Sequence, residues 1–206
     1  MIDDASASPS CVHLLTGESA RLDHAVWNTA QSLDAFIAGT TQYADLWHAT
    51  RRIARIDAET VVSVSAIASP LRLLVLLEDW CGDAISTVPL IQRMVEANPL
   101  FELRVTSRDA HPAIMGTHLS DASESIPVVM AYDGAGIERG WWGPRPSPLQ
   151  EWVKREGLAL EYHERYKRIR TWFARDRGAT TIDEMLLVMR HADRHAERHA
   201  ERSSPR

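Results

Sequence analysis

The chain has 206 residues, a formal net charge of −5, and 45% hydrophobic and 25% charged side chains. That is ordinary for a globular chain large enough to bury a core without disulfide or metal staples. The acidic balance argues against a general nucleic-acid binder, and no stretch approaches the ~20 apolar residues of a membrane span.

Residues 1–18 are rich in Ser, Ala and Asp, without sustained periodicity, and read as a loose arm. The acidic start, Met1-Ile2-Asp3-Asp4, lacks the basic and apolar regions of a secretory leader. With only Cys11 and Cys81, no disulfide scaffold is available, and a reducing, cytoplasmic setting is the expectation. From residue 19 the pattern turns helical. Leu22, Val26, Leu33, Phe36 and Ile37 recur at three- and four-residue steps, as do Tyr43, Leu46, Trp47 and Ile53 after a break at Gly39-Thr40-Thr41. Residues 61–68 are ambiguous, because Val62, Val64 and Ala66 alternate as in a strand while Asp57-Ala58-Glu59 suits a helix start.

The apolar run 71–77 has the length of a buried central strand. A helical stretch through Ile85, Val88, Ile91 and Met94 follows, and 101–106 alternates as the next strand, giving a strand–helix–strand unit. Residues 111–119 read as a short helix. Strands at 128–132 and 137–142 flank the turn signal Asp133-Gly134-Ala135-Gly136, and 149–155 closes as a helix. The tail is helical over 162–176 and 182–202. It ends in a His/Arg/Glu-rich repeat with His191, His195 and His199 four residues apart. A His pair at that spacing suits zinc or nickel. Each is flanked by Glu, Asp and Arg, so a solvated helix laced by ion pairs is the reading, with no metal expected.

The chemistry concentrates at Trp80-Cys81-Gly82-Asp83-Ala84. A cysteine at a strand-to-helix junction meets the unpaired N–H groups and positive end of the helix, which stabilise a thiolate. The competing reading is a small buried hydrophobe. Asp79 and Asp83 bracket the cysteine; a general acid/base pair or metal ligands are the alternatives, and solvated or capping carboxylates are the expectation for both.

Here the sequence resembles the thioredoxin superfamily. Residues 71–82 are similar to the strand and the start of its WCGPC motif, Pro89 matches a kinking proline in the helix, and Ile126-Pro127 resembles the cis-proline loop. The set Glu78-Asp79-Trp80-Cys81-Gly82-Asp83-Ala84, Arg108-Asp109, Ser125-Ile126-Pro127 and Trp142-Gly143-Pro144-Arg145-Pro146 is similar to a bacterial thioredoxin-like group with helical extensions at both ends. The resemblance implies an α/β fold: a thioredoxin-like mixed sheet of four or five strands flanked by helices. It divides the chain into an arm (1–18), a helical extension (19–68), the core (69–157) and a helical tail (158–206). It also favours a helix over 61–68.

Two departures bear on function. Ala84 stands where the family has a resolving cysteine, and Val75 stands where it has a buried acid. The implied activity is therefore a monothiol thiol–disulfide oxidoreductase. Cys81 is its nucleophile, and Trp80, Gly82, Asp83, Ile126, Pro127, Trp142 and Arg145 are candidates to contact a protein or low-molecular-weight disulfide or thiol. No resident cofactor is expected; glutathione or another small thiol would be a co-substrate, or Cys11 a resolving thiol from the arm. The alternative is a redox-silent module that binds a partner in a groove formed by Trp80, Pro127 and Trp142. Arg108-Asp109 reads first as a helix-capping Asp109 with a surface Arg108, and Arg145 as part of a rigid strand-to-helix turn; second, Arg108 and Arg145 are groups that attract an anion. The sequence leaves the oligomeric state open.

Overall fold

The structure is a computed structural model that describes residues 9–17 and 19–203, with side chains as far as residue 196. In chain order its elements are β1 (Val12–Leu14), α1 (His24–Thr29), α2 (Leu33–Gly39), α3 (Ala44–Ile53), α4 (Ala58–Ser65), β2 (Leu71–Leu77), α5 (Gly82–Glu96), β3 (Phe101–Ser107), α6 (Pro112–Met115), β4 (Val128–Tyr132), β5 (Glu138–Trp142), α7 (Ser147–Arg155), α8 (Tyr162–Asp176) and α9 (Ala179–Ser203), with a 3₁₀ turn at Gly157–Ala159. The five strands form one mixed sheet in the order β1-β5-β4-β2-β3. Strand β2 runs parallel to β3 and antiparallel to β4, with α5 as the crossover to β3.

Local chemistry fixes the helical extension. Asp23, Ser32 and Asp57 each cap a helix, accepting from Ala25 N at 2.8 Å, Ala35 N at 3.2 Å and Thr60 N at 2.7 Å. The Asp57 cap settles the ambiguity at 61–68: α4 is a helix that buries Val64 and exposes Val62. Gln31 exchanges both backbone hydrogen bonds with Val105, tying the extension to the open edge of β3. Trp47 is fully buried against that side of the core. On the sheet, Leu73, Val75, Leu76 and Val129 are fully buried, as central strands covered by helices require. Helix α9 packs along β5 and β1 and touches α5.

The loose arm expected over 1–18 does not hold for its described part. Val12–Leu14 form the edge strand β1, paired antiparallel with Trp142, Trp141 and Gly140, and Cys11 is buried. Gly140 permits this approach, because a Cβ there would lie 2.6 Å from the His13 carbonyl oxygen. Residues 1–8 and Glu18 lie outside the described residues. The short helix expected over 111–119 is only four residues long, since Gly116 and His118 turn the chain toward β4.

Candidate functional site

Strand β2 ends at Leu77, and the next four residues carry the chain onto α5. Glu78 Oε1 accepts from Ser107 Oγ at 2.6 Å and from the Asp109 N–H, tying the ends of β2 and β3 together. Asp79 Oδ2 accepts from Thr41 N, Thr41 Oγ1 and Gln42 N at 2.9–3.2 Å, and the Trp47 indole donates to the Asp79 carbonyl. The helical extension thus grips the loop that presents the cysteine. Asp79 is neither a metal ligand nor an acid–base partner in this arrangement. It is an anchor.

Cys81 is the N-cap of α5. Its sulfur accepts from Ala84 N at 3.5 Å and donates to the Ile126 carbonyl at 3.3 Å, on the loop where Ile126-Pro127 is cis. A second cis bond, Gly143-Pro144, lies in the loop after β5. Gly143 has φ +141°, and a Cβ there would meet the Pro127 carbonyl oxygen at 2.1 Å, so glycine is needed to bring the two proline loops together. The thiol is well covered, with Cys81 only 7% exposed. Burial first, and then the charge of Asp83, push it up to about 12, against the pull of the Ala84 and Asp83 N–H groups and Arg145. In the resting fold Cys81 is a protonated thiol.

Asp83, expected as a solvated or capping carboxylate, is instead buried. Arg145 donates to its Oδ2 through Nε at 3.0 Å and Nη2 at 2.6 Å, and through Nη1 to Gln150 Oε1 at 3.0 Å. Asp83 Oδ1 is buried and has no hydrogen-bond partner among the described residues. Burial raises the Asp83 carboxyl while Arg145 works to lower it. From α8, the half-buried Tyr166 senses this carboxylate, its phenol raised by burial, Tyr162 and Asp83 in turn.

The expected site residues therefore sort by depth. Cys81, Asp83, Ile126, Pro127 and Arg145 converge and are largely covered, while Trp80 (41% exposed) and Gly82 face solvent. A Cβ on Gly82 would meet nothing within 4 Å, so the space over Gly82 is open. Arg145 is engaged by Asp83 and Gln150 rather than presented to an incoming anion. Arg108 lies 5.3 Å over the Trp80 ring and binds Asp109 and the Glu124 carbonyl, which makes it a strut for the loop. Asp109 does not cap α6; His111 occupies that position.

Two expectations are corrected. Trp142 is fully buried and donates to Glu184 Oε2 at 2.6 Å, so it joins β5 to α9 instead of lining a groove. The β5 register places its ring on the α9 side of the sheet, which hydrophobic patterning alone does not reveal. Cys11 is no mobile resolving thiol. Its carbonyl accepts from Gly143 N, its N–H donates to Ser147 Oγ, and the β5 segment lies between it and the loop that Cys81 touches. Both cysteines are free. In the tail, His191 is buried and its Nε2 lies 2.9 Å from the Leu15 carbonyl, so this end of the repeat is packed rather than solvated. The side chain of His199 lies outside those described. Among the described residues no group of three or more His, Cys, Asp or Glu could hold a metal ion, and no helix is long and apolar enough to cross a membrane.

A helix-capping cysteine after a central strand, opposed by a cis-proline loop, defines a thioredoxin-fold site. A family model described as thioredoxin matches residues 30–174, and the chain belongs to that family. Among solved structures, a protein of unknown function from Pseudomonas aeruginosa is similar, with a TM-score of 0.66 and 18% identity over 83% of this chain and 99% of the other. An HIV epitope-scaffold is also similar, with a TM-score of 0.64 and 17% identity over 82% of this chain and 98% of the other. At these identities the likeness is one of fold. No curated protein matches the chain.

Proposed function

We propose that this thioredoxin-family chain is a monothiol thiol–disulfide oxidoreductase that works through Cys81 and has no resident cofactor. The observation that carries the reading is the placement of the Cys81 sulfur. It caps the 15-residue helix α5, accepts the Ala84 N–H and faces the cis Ile126-Pro127 peptide. A mixed disulfide on Cys81 would inherit that setting, with the Trp80–Gly82 flank as the side of approach. With Ala84 three residues on and Cys11 held just before β1 by Gly143 and Ser147, the second thiol has to come from outside the chain. Protein thiols or a small thiol such as glutathione supply that chemistry.

A redox-silent binding module is the second reading, favoured by the covered, protonated thiol. The two separate by incubating the folded protein with glutathione disulfide and mapping adducts by peptide mass. A single glutathione on Cys81 that free thiol removes is expected for exchange. A folded chain that stays unmodified, while the urea-unfolded chain reacts, supports the silent module.

A further inference from the structure

A buried carboxylate oxygen without a partner is costly, and such exceptions in folded proteins call for an explanation. Asp83 carries one. Its Oδ2 takes both Arg145 bonds, while Oδ1 is buried and unpaired in the first turn of the helix that Cys81 caps. The fold thus places an acceptor with free lone pairs two residues on from a covered thiol, where the Asp83 charge and N–H both act on the sulfur, while the thiol's own hydrogen bond runs to a weakly basic peptide carbonyl. The inference rests on the exchange reading given above and specifies how that reading works from a protonated thiol.

We infer that Asp83, through its unpaired Oδ1, is the proton acceptor for Cys81 during thiol exchange, and that Arg145 positions it. The Cys81 S–H bond breaks as its proton passes to the Asp83 carboxylate. The thiolate attacks one sulfur of a disulfide RS–SR′. The Cys81–SR bond forms, the RS–SR′ bond breaks, and R′S⁻ leaves with the electron pair, taking the proton back from Asp83 as R′SH. A second thiol, R″SH, then attacks the SR sulfur of the mixed disulfide. It releases RS–SR″ and restores Cys81 by the same transfer in reverse, so no other oxidant or reductant enters.

The charges favour this path. While Asp83 is ionised, its charge opposes a thiolate. Once Asp83 holds the proton that opposition is gone, and the Arg145 charge, which already reaches the sulfur, faces the thiolate with no competing carboxylate.

The test follows alkylation of Cys81 by iodoacetamide, resolved by peptide mass, from mildly acidic to alkaline pH in wild type and Asp83→Asn. A proton acceptor gives the wild-type rate a shoulder once Asp83 is ionised, and that rate slows in deuterium oxide. Asp83→Asn loses the shoulder and reacts roughly 10- to 100-fold more slowly at neutral pH, and Asp83→Glu restores part of it. A carboxylate that merely repels a thiolate has the opposite signature. Asp83→Asn reacting as fast as wild type, or faster, overturns the inference. Should that variant not fold, the wild-type profile decides alone, since a rate rising in proportion to hydroxide throughout overturns it as well. Folded wild type that forms no Cys81 adduct with either reagent overturns the exchange reading itself, and the assignment with it.

Discussion

Two buried cysteines in this fold each feel a buried carboxylate, and the carboxylates differ in one respect. Near Cys11, Glu184 has both oxygens taken: Oε2 accepts the Trp142 indole at 2.6 Å and Oε1 accepts Ser147 N at 2.9 Å. Near Cys81, Asp83 has one oxygen clamped by Arg145 and the other open. Burial first and the carboxylate second push both thiols up, to about 11 for Cys11 and about 12 for Cys81. By thiol ionisation alone the two sites are nearly equivalent. A saturated carboxylate holds elements together, here α9 to β5 and to the start of α7. An open one is left with capacity to accept a proton.

The contrast gives a ranked set of expectations. Glu184→Ala strands the Trp142 indole and the Ser147 N–H without acceptors, and at about 1–3 kcal/mol for each buried group the loss is about 2–6 kcal/mol. Urea unfolding measures it. Asp83→Asn is expected to lose less, about 1–2 kcal/mol, because an amide oxygen still accepts from Arg145 and the open oxygen had no bond to lose. The reverse order would erase the distinction between scaffold and open acid.

Asp79 is a carboxylate at the surface side of the same loop, with three hydrogen bonds gathered on Oδ2. Removing it by Asp79→Ala is expected to take about 1 kcal/mol and to speed amide hydrogen exchange in α2 and α3. Burial works to raise its carboxyl, but the bonds from Gln42 and Thr41 outweigh it and hold it below the usual range. Its contribution is therefore complete above the ordinary carboxylate pKa and is lost as pH falls through the lowered value.

The smallest effect belongs to the buried His118–Glu138 pair. His118 has Nε2 2.9 Å from Glu138 Oε1 and Nδ1 2.8 Å from the Ile114 carbonyl, so both ring nitrogens face acceptors and the imidazolium fits. Burial lowers its pKa, but the Glu138 and Ile114 bonds outweigh that and raise it above the usual value. That contribution is present in full below about 6.5 and fades as pH rises through the raised folded value. A gentle decline in melting temperature from neutral to alkaline pH, flattened in Glu138→Gln, is the expected record.

Most of the fold was legible because its signals are local. Apolar runs of strand length, the helix start at Asp57 and the Asp133–Gly136 turn each act within a few residues, and the motif order placed Cys81 at the strand-to-helix junction. What escaped depends on distant partners. Val12–Leu14 reads as part of a loose arm until Gly140 admits it to the sheet edge. Trp142 reads as a groove wall until Glu184, 42 residues on, claims its indole. Asp83 reads as an exposed acid in a first helical turn until Arg145, 62 residues later, covers it. No spacing rule links those positions.

The most direct measurement is limited iodoacetamide labelling of both cysteines in one folded chain at neutral pH, resolved by peptide mass. The account predicts that Cys81 labels faster than Cys11 although burial pushes both thiols up alike, and that Asp83→Asn collapses the ratio. Equal labelling in wild type, or a ratio untouched by Asp83→Asn, would contradict it.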